Sequence, residues 1–157
     1  IITTGQFDSI LVNYCQGLDL PLHLTFVKNP DYQDTNYIYS IYCARNYLDD
    51  DIILIHGDLV FENAVLDEIV SSETSCIAVS STHPLPEKDF KAVIRNRQVT
   101  HIGVEFFNEA VAAQPLYLLK KDGLPILSNF VNPEIGHAMR KWHLMKFPIL
   151  VPFILWM

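Results

Sequence analysis

The chain has 157 residues, half of them apolar and 18% charged, with a formal net charge of −7. That composition belongs to a globular chain long enough for one domain with a real core, and it excludes a disordered one. The acidic balance argues against a nucleic-acid backbone or an anionic membrane as partner, since both favour basic patches; it leaves nucleotides open, because a divalent cation bridges two anions.

Ile1 to Thr4 reads as a strand ended by Gly5. Asp8 is a candidate cap for a helix that carries Ile10, Leu11, Tyr14 and Cys15 on one face and stops at Gly17. Leu22 to Val27 is a second strand, broken by Asn29-Pro30, which opens a polar loop through Asn36. The spacing of Ile38, Ile41, Tyr42 and Arg45 predicts a helix over Tyr37 to Leu48. A strand over Ile52 to Ile55, a helix over Asn63 to Val70 with Val65, Leu66 and Ile69 inward, and a strand over Cys76 to Val79 follow. Pro84 and Pro86 mark a loop from Ser81 to Lys88, and Phe90 to Ile94 and Val99 to Ile102 flank a hairpin turn at Asn96-Arg97. Strands alternating with helices predict an α/β, Rossmann-like, mostly parallel sheet with helices on both faces and a late antiparallel hairpin.

Cys15, Cys43 and Cys76 are odd in number, far apart and set among apolar residues. They read as buried free thiols of a reducing, cytoplasmic compartment rather than as a disulfide framework, and no zinc spacing is present. The N-terminus has no basic region of a signal peptide, and the apolar segment from Phe147 to Trp156 is too short to span a bilayer and is interrupted by Pro148 and Pro152.

The stretch Asp51-Ile-Ile-Leu-Ile-His-Gly-Asp58 is the most informative part of the chain. Four apolar residues run into Gly57-Asp58, as a buried parallel strand ends on an acid. Ligands of open α/β sheets sit beyond the carboxyl ends of the strands, where a carboxylate is well placed to hold Mg²⁺ against a phosphate. Gly57 leaves the backbone open to a ligand. The plainer alternative for Asp58 is a helix cap or turn. Thr35, Asn36 and Ser40 gather at a helix start that suits a phosphate or a base edge, or that is simply capped by Thr35 or Asn36. Lys91, close to Lys88 and Asp89, would stabilise charge developing in phosphoryl transfer, or is a surface lysine. Asp49-Asp50-Asp51 matches the acidic signature of a metal-dependent glycosyltransferase, but it lies at the amino end of its strand and reads as a turn. His56 reads as satisfying a backbone group, and His137 and His143 have poor ligand spacing.

Thr35-Asn-Tyr-Ile-Tyr-Ser40, His56-Gly-Asp58-Leu-Val-Phe61 and Glu87-Lys-Asp-Phe-Lys91, in that order and spacing, resemble the MobA-like nucleotidyltransferases and within them the phosphocholine cytidylyltransferase branch. The resemblance runs from Ile1 to about Asp122. It implies the nucleotide-diphospho-sugar transferase fold. It also implies Mg²⁺-dependent transfer of a nucleotidyl group, first CMP from CTP, from a nucleoside triphosphate to a phosphorylated small molecule such as phosphocholine or a sugar phosphate. Asp58 would bind the Mg²⁺ and act in catalysis, Asn36, Ser40 and Gly57 would lie at the nucleotide, and Lys91 would lie on the substrate side. A glycosyltransferase of similar fold, and a non-catalytic fragment or interaction module, are the alternatives.

Two departures from the family stand out. The family opens on a strand and a glycine-rich triphosphate loop, and this chain begins at the family's second strand, so residues 1–136 form a partial domain. Loss of a central strand would leave unpaired edges, a route to a homo-oligomer. Second, the family's Tyr-Ala-Glu segment, whose acid joins the metal site, is replaced by Ala138-Met-Arg-Lys-Trp-His-Leu-Met-Lys-Phe147. A coding for Tyr-Ala-Glu-Met-Ala-Phe-Asn-Glu-Ile, read one base later, yields the run from Met139 to Lys146. Residues 137–157 therefore read as an atypical tail that follows a frameshift near Gly136 or His137.

Overall fold

The computed structural model describes residues 1–35, 37–123 and 151–156. These fall into two compact units, Ile1–Asp49 and a second made of residues 50–123 with 151–156.

In the first unit, strand β1 (Ile2–Thr4) leads into helix α1 (Asp8–Gln16), and β2 (Phe26–Lys28) returns to pair parallel with β1 in the register Ile2↔Phe26. Asp8 is the first helical residue rather than the cap. Its carboxylate accepts from the Thr4 hydroxyl and lies 3.5 Å from Lys28 Nζ. Those two partners, Thr4 first, hold the carboxyl below its usual range. The expected inward face of α1 is not buried: no residue of the helix is, and Ile10 and Tyr14 are each 67% exposed. Among the described residues of this unit, its two three-residue strands offer too little surface to cover that face. Strand β2 is shorter than Leu22 to Val27, and helix α2 covers only Tyr37–Cys43, with a 3-10 turn over Arg45–Tyr47 completing the expected helical stretch.

The buried Asn29 organises the polar loop. Its amide nitrogen donates to Thr35 Oγ1 at 3.0 Å and Ser40 Oγ at 3.1 Å, and its carbonyl oxygen accepts from the Asp31 backbone N–H at 2.9 Å.

The second unit is a six-stranded sheet in the order β3-β7-β4-β8-β6-β5, built from β3 (Ile52–Ile55), β4 (Cys76–Ser80), β5 (Lys91–Arg95), β6 (Gln98–Gly103), β7 (Ala110–Leu119) and β8 (Val151–Trp156). Strands β3 and β4 run the same way on either side of an antiparallel β7. Strand β8 is parallel to β4 and antiparallel to β6. Strand β5 also pairs with β7, so the pairings close a circuit through β7, β4, β8, β6 and β5.

Burial of β4 explains its unbroken apolar run. Cys76 and Ala78 face one cluster with Val65 and Ile69 of helix α3 (Asn63–Val70) and with Leu116 and Leu118. The alternate residues Ile77 and Val79 face a second cluster with Ala92, Val99 and Ala113. Period-two alternation with both faces covered makes Cys76 to Val79 apolar, and the polar residue Ser80 comes only at the carboxyl end of the strand.

The late hairpin forms as expected. Asn96 (φ 50°) and Arg97 (φ 61°) both occupy the left-handed region that a two-residue type I′ turn requires, closing the pair Arg95↔Gln98. The sequence reading contains no strand over Ala110–Leu119, yet β7 is central. Its alanines and Pro115 give a weak strand signal. The β4–β7 register shifts between Ile77 and Val79, opposite Gln114 to Leu116, and a bulge is where a sheet tolerates proline.

The three cysteines are free thiols. Cys76 is buried, while Cys15 and Cys43 are half-buried; burial raises the pKa of Cys43 and Cys76. Among the described residues no helix is long and apolar enough to cross a membrane. Asn36, Ala138 to Phe147 and the proposed frame change near Gly136 and His137 lie outside the described residues.

Candidate active site

The second unit carries a pocket of about 370 Å³ lined by the end of β3, the loop after β4 and the bulged part of β7. The loop beyond β3 supplies His56 and Asp58, where the backbone turns through a bond from Leu59 N–H to His56 O of 3.2 Å. The His56 N–H in turn donates to Pro115 O at 3.2 Å, fixing the end of β3 to the bulge. The loop after β4 contributes His83, Pro84, Pro86, Asp89 and Phe90, and β7 contributes Ala112 to Pro115 and Tyr117. Strands β3 and β4 are co-directional, so the pocket lies beyond their carboxyl ends, where ligands of α/β sheets bind.

Asp58 is exposed and sits in the wall of this pocket. Its carboxylate is thus open to water and to a ligand at once. Gly57 beside it has nothing within 4 Å of where a Cβ would stand, and no described glycine has a positive φ. Neither packing nor backbone conformation therefore demands glycine there.

Lys91 is placed differently from the other candidates. The residue is fully buried, at 0% exposure. Its ammonium donates to the Pro86 carbonyl, to Asp89 O at 3.1 Å and, more weakly, to Glu87 O at 3.5 Å, and lies 4.1 Å from the centre of the Phe107 ring. Its charge is thus turned to the carbonyls of the pocket loop. Ser40 belongs to the first unit, where its hydroxyl accepts from Asn29. The structure therefore brings His56 and Asp58 together with Asp89 in one pocket wall.

Asp51 is more than a turn residue. Its carboxylate accepts from the Lys121 backbone N–H at 2.8 Å and lies 3.1 Å from Lys120 Nζ, joining the start of β3 to the end of β7. The Lys121 N–H and then Lys120 hold its carboxyl below the usual range.

Sequence reasoning did not assign His83, Gln114, Pro115 or Tyr117 to a site. The usable signal was Pro115 inside an otherwise apolar run, since a proline within a sheet marks a bulge. Among the described residues no three His, Cys, Asp or Glu side chains cluster as a complete metal site. One open carboxylate nevertheless fits Mg²⁺, which keeps several waters and is commonly bound through one or two carboxylates plus substrate phosphates.

The fold is that of the solved nucleotidyltransferases. The inositol-1-phosphate CTP transferase from T. maritima superposes with a TM-score of 0.69 at 16% identity, over 99% of this chain and 65% of that one. A candidate glucose-1-phosphate thymidylyltransferase from Bacillus anthracis, solved with sucrose, gives 0.62 at 15% identity, over 99% and 67%. In sequence, the CMP-5'-(3-aminopropyl)phosphonate synthase of Streptomyces rubellomurinus is 42% identical over 81 residues, which are 51% of this chain and 13% of that protein. The chain thus spans a small part of its curated relative. No protein-family profile matches the sequence.

Proposed function

We propose that this chain carries part of a Mg²⁺-dependent nucleotidyltransferase that transfers CMP from CTP to a phosphorylated or phosphonylated small molecule. The observation that carries the reading is Asp58, an open carboxylate in a pocket wall beyond the carboxyl ends of β3 and β4. Bound there, Mg²⁺ would supply charge neutralisation at the α-phosphate and a template for the incoming oxyanion. Asp58 would hold the ion, and the open backbone at Gly57 would admit the phosphate beside it. The choice of nucleotide is supported by the relative that is 42% identical over 81 residues, whose name carries CMP.

The pocket also bears on the acceptor. Asp58, Asp89, Phe90 and Tyr117 line it, and no lysine or arginine does so among the described residues. Carboxylates and ring faces suit a cation. We therefore favour an acceptor with a phosphate or phosphonate at one end and an ammonium group at the other, as in phosphocholine, over a neutral sugar phosphate.

Calorimetry tests this. CTP with Mg²⁺ should bind the wild-type chain and lose at least about tenfold in affinity in Asp58→Ala, and phosphocholine should compete with an alkylammonium probe but not with glucose 1-phosphate. Equal CTP binding by wild type and Asp58→Ala would remove the metal role. Preference for the sugar phosphate would remove the cationic acceptor.

A further inference from the structure

The loop between β4 and β5 supplies five of the residues that line the pocket: His83, Pro84, Pro86, Asp89 and Phe90. A buried polar side chain sits at each end of it. At the start, Ser80 Oγ accepts from the His83 N–H at 3.2 Å and lies 3.3 Å from Thr82 Oγ1. At the end, Lys91 is fully buried and faces the carbonyls of Pro86, Glu87 and Asp89.

An ammonium has three donors and no acceptor, and three carbonyls face it here. Burying a cation is unfavourable unless its donors are met, and the ring of Phe107 covers a further side at 4.1 Å. The relation is mutual: the loop satisfies the lysine, and the lysine gathers carbonyls that no strand pairs. A side chain so engaged has no donor left to reach a phosphate in the pocket. We infer that Lys91 is a positioning residue: it acts through the Pro84–Phe90 loop, which it clamps into the pocket wall, and not by touching the reacting phosphates.

Lys91→Ala removes the three methylenes and the ammonium that n-propylammonium would replace. A protease specific for glutamate cuts Glu87–Lys88 within the loop. That bond should be cut about tenfold faster in Lys91→Ala than in wild type, because a released loop opens locally without global unfolding. Added n-propylammonium should restore slow cutting, and n-propanol, of the same shape but without the charge, should not. Should the alanine variant fail to fold, Lys91→Met keeps the apolar stem and the same cleavage is read on it. Wild-type cleavage rates in the folded variant, or rescue by propanol as well, overturn the clamp.

The consequence for the pocket rests on the proposed function and is read separately. By calorimetry on Lys91→Met, the dissociation constant for phosphocholine should rise about tenfold while that for CTP with Mg²⁺ moves less than about twofold. The reverse split would place the ammonium on the nucleotide and overturn the inference. Absence of phosphocholine binding to wild type would sink the acceptor reading while the cleavage result still decides the clamp.

Discussion

Residues 1–49 and residues 50–123 each carry a helix with an apolar face, the weaker one in α1 and the stronger in α3, and bury them differently. In the first unit α1 has the spacing of a core-facing helix and no buried residue, and the side chain best enclosed by polar contacts is the amide of Asn29. In the second, α3 sends Val65 and Ile69 into a cluster under β4 and β7. Spacing marks which face of a helix is apolar; only the neighbouring sheet decides whether that face is covered. The pocket arises in the second unit, where rigid strands hold the loop ends that line it.

That contrast is open to attack by mutation. The largest effect should come from Ile69→Ala, at 0% exposure, which should lower the stability of its unit by about 2–5 kcal/mol in urea unfolding. The matched change Ile10→Ala in α1 should move stability by no more than about 0.5 kcal/mol. Equal losses would mean that α1 is covered as well as α3 is. Next comes Asn29→Ala, which takes a donor from the Thr35 and Ser40 hydroxyls and the acceptor from the Asp31 N–H, while Thr35 keeps its bond to the Asp31 carbonyl; about 1–3 kcal/mol should be lost, read as faster hydrogen exchange in residues 29–43. A negligible change would show that the loop holds without its hub.

A smaller effect concerns acid stability. The folded-state pKa of Asp51 is depressed, so its contribution is present above the unfolded value of about 3.9 and is lost as pH falls through the lower folded value. Asp51→Asn should therefore destabilise near neutral pH and flatten the acid limb of the stability profile. An unchanged slope below pH 4 would leave the link to Lys121 without energetic weight. The smallest effect on stability should be that of Gly57→Ala, within about 0.5 kcal/mol, because the added methyl meets open space. The same change should weaken CTP binding if the nucleotide approaches that backbone, and calorimetry separates the two readouts.

Much of the second unit was legible because its signals are local. The turn at Asn96-Arg97 and the inward Val65 and Ile69 of α3 each depend on a few neighbouring residues, and each formed, although Leu66 stays outside the cluster. The run into Gly57-Asp58 forms strand β3, but not the buried parallel strand expected: β3 lies at the sheet edge, pairs antiparallel with β7 and leaves Ile53 and Ile55 exposed, because no second strand or helix covers that side among the described residues. Strand β7 was not legible, since its alanines, Gln114 and Pro115 become a strand only between β3 and β4. With β7 unseen, the pocket wall from Ala112 to Tyr117 was unseen too. Lys91 was read as a phosphate-side or a surface lysine; it is buried against loop carbonyls, which no sequence pattern shows. The apolar face of α1 differs: its spacing is a local signal, and among the described residues it meets no surface to pack on.

The metal role of Asp58 is tested most directly with Mn²⁺ as a paramagnetic substitute for Mg²⁺ in the presence of CTP. His56 and His83 line the same pocket as Asp58, so their ring proton resonances should broaden in the wild-type chain and stay sharp in Asp58→Asn. Equal broadening in both proteins, or broadening of His23 in the first unit instead, would contradict the account.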